Sequence, residues 1–156
     1  MAVPATAVPP AVPVKADIGK RIVAALIDGA CAAVVAWIPF VGGIVATAYI
    51  LVRDGLELEF MDRRSLGKKL MKLRPVRLDG QPMNIETSIK RNVPLCIGGI
   101  GAIFWVIPFL GWILAILLGV IGLMVALVEV VLAVTDPEGR RMGDKLGATK
   151  VIEVSD

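Results

Sequence analysis

The chain has 156 residues, 56% hydrophobic and 20% charged, with a mean hydropathy of +0.78. Soluble domains average about 45–50% apolar, so this composition excludes an ordinary soluble domain and reads as one small polytopic membrane domain. The net charge of +3 rests on 17 Lys and Arg confined to three blocks, 15–21, 53–91 and 140–150. The positive-inside rule explains that placement better than nucleic-acid binding does, so no nucleic-acid partner is expected.

Residues 1–14 hold four of the ten prolines and no charged side chain. They read as a disordered, polyproline-biased tail, idle or partner-binding, and they lack the basic start and continuous apolar core of a signal peptide. Residues 22–38 then predict a first membrane helix, opened by Arg21 and carrying Asp28 seven residues on, two turns along the same face. Asp28 would lie roughly 10 Å inside the membrane, at about 1.5 Å rise per residue. A charge there costs on the order of 2.5–3.5 kcal/mol or more, so it needs a partner or a task.

The segment Ile38-Pro39-Phe40-Val41-Gly42 breaks the apolar run, and a second helix is expected from about Phe40 or Ile44 to Val52. A hairpin over 22–52 keeps both basic flanks on one side, which a single kinked helix would not. The connector 53–91 holds Ser65 to Leu73, where Leu66, Leu70 and Leu73 share a face with Lys68, Lys69 and Lys72 around it. That pattern suits a short interfacial helix on anionic headgroups, or a solvated basic loop. Pro75 ends it, and Val76 to Leu78 is expected to pair with Val151 to Val154 as a small cytoplasmic sheet. Asn84 then offers a cap for a helix carrying Ile85, Ile89 and Val93 towards the membrane.

The second apolar block repeats the first. A third helix is expected from Val93 to Ile107, a break at Ile107-Pro108-Phe109-Leu110-Gly111, and a fourth helix from Trp112 to Thr135. Trp37 and Trp105 precede the two breaks, as an interfacial aromatic belt would. Gly67-Lys-Lys-Leu70 and Gly143-Asp-Lys-Leu146 are each followed by a strand-like run. The whole reads as a parallel internal duplication: hairpin 22–52, connector 53–91, hairpin 93–135 and tail 136–156.

The fourth helix carries small residues at spacings of three or four, Gly111, Ala115, Gly119, Gly122 and Ala126, leading to Glu129. Ala25 and Gly29 lie on a comparable face of the first helix. Such stripes let membrane helices approach closely, so they are expected to pack on each other or on a second copy. Asp28 and Glu129 fall at matching depth, Glu129 seven residues before Asp136. Two carboxylates sharing low dielectric cannot both ionise cheaply, which is the chemistry of a proton or sodium site. The alternative is that each pairs with an interfacial arginine: Arg21, Arg53 or Arg91.

With no histidine, a His-based metal site or a Ser-His triad is excluded, and Cys31 and Cys96 sit at no metal-ligand spacing. Both cysteines read as small packing residues. No metal, no cofactor and no enzyme activity are expected.

Arg21-Ile-Val-Ala-Ala-Leu-Ile-Asp28, Ser65-Leu-Gly-Lys-Lys-Leu70 and Gly143-Asp-Lys-Leu-Gly-Ala-Thr-Lys-Val151 together resemble the RDD family of small bacterial membrane proteins. The resemblance covers about 15–154 and implies that Arg21, Asp28 and Asp144 are the family's Arg and two Asp. It departs in the short second helix and the acidic Glu57-Leu-Glu59 that follows. It implies a largely uncharacterised membrane protein for which transport, and sodium/proton exchange in some members, has been proposed. The expected fold is therefore all-α, four transmembrane helices in the bacterial inner membrane with both termini cytoplasmic. The expected function is transport-related, cation- or proton-coupled and oligomeric; the alternative is an accessory or scaffold subunit of a larger membrane complex.

Overall fold

The computed structural model describes residues 15–39 and 41–155. The proline-rich tail and Phe40 of the first break lie outside them. Helix α1 (Ile18–Ala36) starts four residues earlier than expected because the Asp17 side chain caps it, accepting from the Lys20 N–H at 2.9 Å. It ends at the break, where Pro39 denies it a further turn. Helix α2 (Gly42–Val52) returns from there, and Ser65 caps the short α3 (Leu66–Leu70), which leads into strand β1 (Leu73–Arg77).

Helix α4 (Ile85–Ile100) begins at the Asn84 cap, which accepts from the Thr87 N–H at 2.8 Å. It passes straight through Pro94 and tightens into a 3-10 segment, Gly101–Val106. Arg91, at the end of the connector, lies inside this helix, as the expected Asn84-capped helix through Val93 implies. Helix α5 (Leu110–Thr135) follows the second break, where Phe109 takes a left-handed φ of 58°. The short α6 (Met142–Leu146) and β2 (Thr149–Glu153) close the chain.

Two segments, Ile85–Val106 and Leu110–Thr135, are long and apolar enough to cross a membrane. In α5 only 11% of the most apolar window is buried within the protein. A helix apolar on all sides and left uncovered is solvated by lipid, not by a protein core. Its 26 residues reach about 39 Å, against about 30 Å of hydrocarbon. By the same measure the 11 residues of α2 reach only about 16 Å, and α1 carries Lys20, Arg21 and Asp28.

The small-residue stripe of α5 packs on α4. A Cβ on Gly122 would lie 2.5 Å from the Gly98 backbone, and one on Gly101 would lie 3.0 Å from the Ala115 carbonyl oxygen. Gly111, Ala115, Gly122, Glu129 and Ala133 are buried on this face. The expected packing of the α1 and α5 stripes on each other is corrected: Ala25, Gly29 and Gly119 are exposed, and a Cβ on either glycine would meet nothing within 4 Å. The reason is that α4 occupies the α5 face that α1 was expected to meet.

At the charged end β1 and β2 pair antiparallel, with Leu73 opposite Glu153, Pro75 opposite Val151 and Arg77 opposite Thr149. The pairing starts at Leu73, not at Val76, so that Leu73 and Val151 turn into a small core with Ala16 and Ala24. The two segments that feed the sheet fold alike. Each has a glycine one residue into its short helix, Gly67 and Gly143, a left-handed residue, Lys72 and Ala148, and a strand with the same burial alternation. The counterparts Pro75 and Val151 face each other, which places a local pseudo-twofold axis through that pair.

Gly122→Leu should destabilise the protein by about 1–3 kcal/mol or more, because its side chain must displace the Gly98 backbone. Gly119→Ala should leave the thermal midpoint unchanged. Detergent-phase melts of the two variants check the α4–α5 contact.

Candidate functional site

The charged ends of the helices meet around buried carboxylates. Asp144 sits in the first turn of α6, fully buried, and three guanidinium groups converge on it. Arg21 of α1 lies at 2.7 Å, Arg91 of α4 at 2.6 Å, and Arg141, at the N-cap of α6, at 3.3 Å. Asp54, immediately beyond α2, is the second centre. Lys68 of α3 donates to both of its oxygens at 2.6 and 2.7 Å, the Ser65 N–H and the Asn92 side chain add 3.2 and 3.4 Å contacts, and Arg91 stands at 3.7 Å. Arg91 therefore bridges the two centres.

The electrostatics follow from this count of partners. Burial alone would raise the Asp144 pKa, but Arg91, Arg141 and Arg21 outweigh it and hold the carboxyl well below the usual carboxylate range. Burial likewise opposes ionisation of Asp54, and Lys68, then Arg91 and Arg53, overcome it and pull that pKa far down. Both groups are carboxylates across the physiological range.

The other two acids each take a backbone donor from one of the matched glycines. Asp28, 1% exposed, accepts from the Gly67 N–H at 2.8 Å and pairs with Arg53 at 3.0 Å. Glu129, 2% exposed, accepts from the Gly143 N–H at 3.0 Å, and no described salt bridge includes it. These N–H groups approach so closely because both positions are glycine: a Cβ on Gly67 would collide with the Ala24 carbonyl of α1, and one on Gly143 with the Arg91 carbonyl of α4.

Asp28 and Glu129 line one cavity of about 180 Å³ between α1 and α5, without touching each other. Arg21, Arg53, Lys68, Arg91 and Arg141 line it as well. Of the residues singled out in the sequence, Arg21 and Asp144 are joined directly, whereas Asp28 is drawn to Arg53 on the neighbouring helix. Lys68, expected to face headgroups, is buried in its pair with Asp54.

Sequence reasoning missed Asp54 as a centre and Arg141 and Asn92 as its neighbours. Arg141 Nη2 donates to Asn92 Oδ1 at 3.0 Å, and Ser88 Oγ donates to the Leu51 carbonyl at 2.7 Å while accepting from the Asp54 N–H at 3.2 Å. One signal was available: Arg53-Asp54 directly follows an apolar helix, and Arg91-Asn92 enters one, where unpaired polar groups are costly.

A family model described as RDD, the RDD family, matches residues 36–148. The match takes in Asp54, Arg91, Glu129 and Asp144 and begins beyond Arg21 and Asp28. No curated protein and no solved structure matches the chain.

Asp144→Asn should cost about 3–5 kcal/mol, since it leaves buried guanidinium groups without their carboxylate. Because Asp54 and Asp144 titrate lower folded than unfolded, their stabilisation is complete above the unfolded pKa of about 3.9 and is lost as pH falls through the folded values. Between about pH 6 and pH 5 melting temperature should hold, and it should drop below about pH 4. Melts of wild type and Asp144→Asn across that range check both statements, the variant showing the shallower acid loss.

Proposed function

The chain belongs to the RDD family, and on that premise we propose that it is a non-enzymatic, transport-related protein of the bacterial inner membrane whose coupling group is Glu129. The proposed topology is four membrane helices in two duplicated hairpins with both termini cytoplasmic. The matched Gly67 and Gly143 segments and the collection of the basic residues at one end support it.

Glu129 carries the reading. It is buried, it lines the cavity between α1 and α5, and its hydrogen bonds come from the Gly143 N–H, not from a cation. Its proton can exchange without dismantling an ion pair, unlike that of Asp28, which Arg53 holds. Besides Glu129 the cavity offers only Asp28 as a carboxylate, and Arg53 holds it, so oxygen ligands for Na⁺ are few and proton coupling is favoured. Arg21 and Asp144 shape the base of the cavity, and basic residues of the connector face anionic headgroups. Four helices enclose little space, so the working unit is an oligomer.

A second reading, an accessory subunit of a larger membrane complex, is favoured by the exposed Ala25, Gly29 and Gly119. Small residues left uncovered on α1 and α5 suit close contact with a helix from another chain.

Proton-driven flux in proteoliposomes tests the choice. Glu129→Gln should abolish flux in protein that still melts cooperatively, whereas Asp28→Asn should mainly lower the melting temperature by stranding Arg53. Flux that survives Glu129→Gln removes it as the coupling group. A folded wild type without flux favours the accessory reading and directs attention to what co-purifies.

A further inference from the structure

We propose that the cleft between α1 and α5 is a binding site for the headgroup of an anionic phospholipid, entered sideways from the bilayer, with the phosphodiester held by Arg53 and Arg91. Three observations combine here, and none of them depends on the transport reading.

The first is charge. Arg21, Arg53, Lys68, Arg91 and Arg141 line the cavity. The carboxylates that answer them are Asp28 and Glu129 on its wall and Asp54 and Asp144 behind it. Five cations against four carboxylates leave one positive charge in excess below about pH 7, the value to which burial lowers the Lys68 pKa. In a low dielectric such an excess draws in a counter-charge. A phosphodiester supplies one negative charge, whereas free phosphate at neutral pH carries between one and two.

The second is hydrogen bonding. Nε of Arg53, and Nε and Nη1 of Arg91, are buried without a hydrogen-bond acceptor. Arg91 is fully buried and the Arg53 side chain is 7% exposed, so neither donor is satisfied at an open surface. Buried donors are normally paired, and a phosphate oxygen is a charged acceptor for such an N–H.

The third is access. The cleft is flanked by Ile22 and Ala25 on α1 and by Ala126 and Val130 on α5. Ile22 and Val130 are 43% and 44% exposed, and Leu26 and Leu127 continue the exposed apolar faces above them. A soluble anion gains nothing from such walls, whereas acyl chains lie against them while the phosphate reaches the arginines. This selects a lipid as the source of the anion.

Full-length protein, stripped of lipid in detergent, is titrated with short-chain phosphatidylglycerol, phosphatidylcholine or inorganic phosphate while tryptophan fluorescence reports melting. Phosphatidylglycerol well above its dissociation constant should raise the midpoint by on the order of 5 °C, with saturation. The other two additives should not. Ala25→Phe, which fills the mouth and leaves every charge in place, should melt like wild type without lipid and lose the phosphatidylglycerol shift. Equal shifts with phosphatidylcholine, an equal shift with inorganic phosphate, or a shift retained in Ala25→Phe would each overturn the assignment. Because no flux is measured, the outcome is separate from that of the Glu129 experiment.

Discussion

A carboxylate taken out of water must be compensated where it stands, and Asp144 is the place where this chain meets that demand most fully. Three guanidinium groups from α1, α4 and α6 converge on it within 3.3 Å. Arg91 carries the network on to Asp54, where Lys68 joins α3 to the end of α2. Segments that share few apolar contacts at this end are held together because each supplies one member of a buried pair. The compensation is reciprocal, since a guanidinium group left alone here is as costly as a lone carboxylate. Such networks specify partners more than they add net stability.

The matched α3–β1 and α6–β2 segments use the same backbone device for opposite charge. Each places a helix-start glycine against a carbonyl of a longer helix and turns its N–H to a buried acid, Asp28 in one case and Glu129 in the other. The next residue is Lys68 in the first segment and Asp144 in the second. A cation seeking a carboxylate therefore stands where its counterpart is a carboxylate held by arginines. The charge is thus inverted across the pseudo-twofold, and Arg91 serves both centres.

The other end of the molecule obeys a different solvent. Trp37 and Trp105 are exposed beside the two breaks, and Ile38, Pro39 and Ala102 line a shared cavity there with Trp105. The outward faces of α5 and of α4 beyond Lys90 are apolar, which water would penalise and hydrocarbon does not. Close α4–α5 packing then comes from small residues, because lipid offers no hydrophobic gain for burying large ones.

Much of this was legible in the chain itself. The two apolar blocks, the Ile-Pro-Phe breaks, the helix cap at Asn84, and the Gly-x-Lys-Leu pair depend on residues near one another in sequence, where backbone sterics and local hydrogen bonds decide the outcome. Arg21, Asp28 and Glu129 were identifiable because charge beside apolar runs is costly enough to need a reason, and Asp144 through the family resemblance. Their partners were not identifiable. Arg21 reaches Asp144 across 123 positions and Arg91 reaches it across 53. Lys68, with a spacing that suits a lipid-facing lysine, is buried against Asp54. The α5 stripe meets α4 while Gly29 and Gly119 stay uncovered, although spacing alone treats all these small residues alike. Sequence by itself determined which segments are apolar and which charges need compensation. Only the tertiary structure decided who compensates whom, because a Coulomb pair depends on distance in space, and several arginines at the same end were equally eligible until packing chose among them.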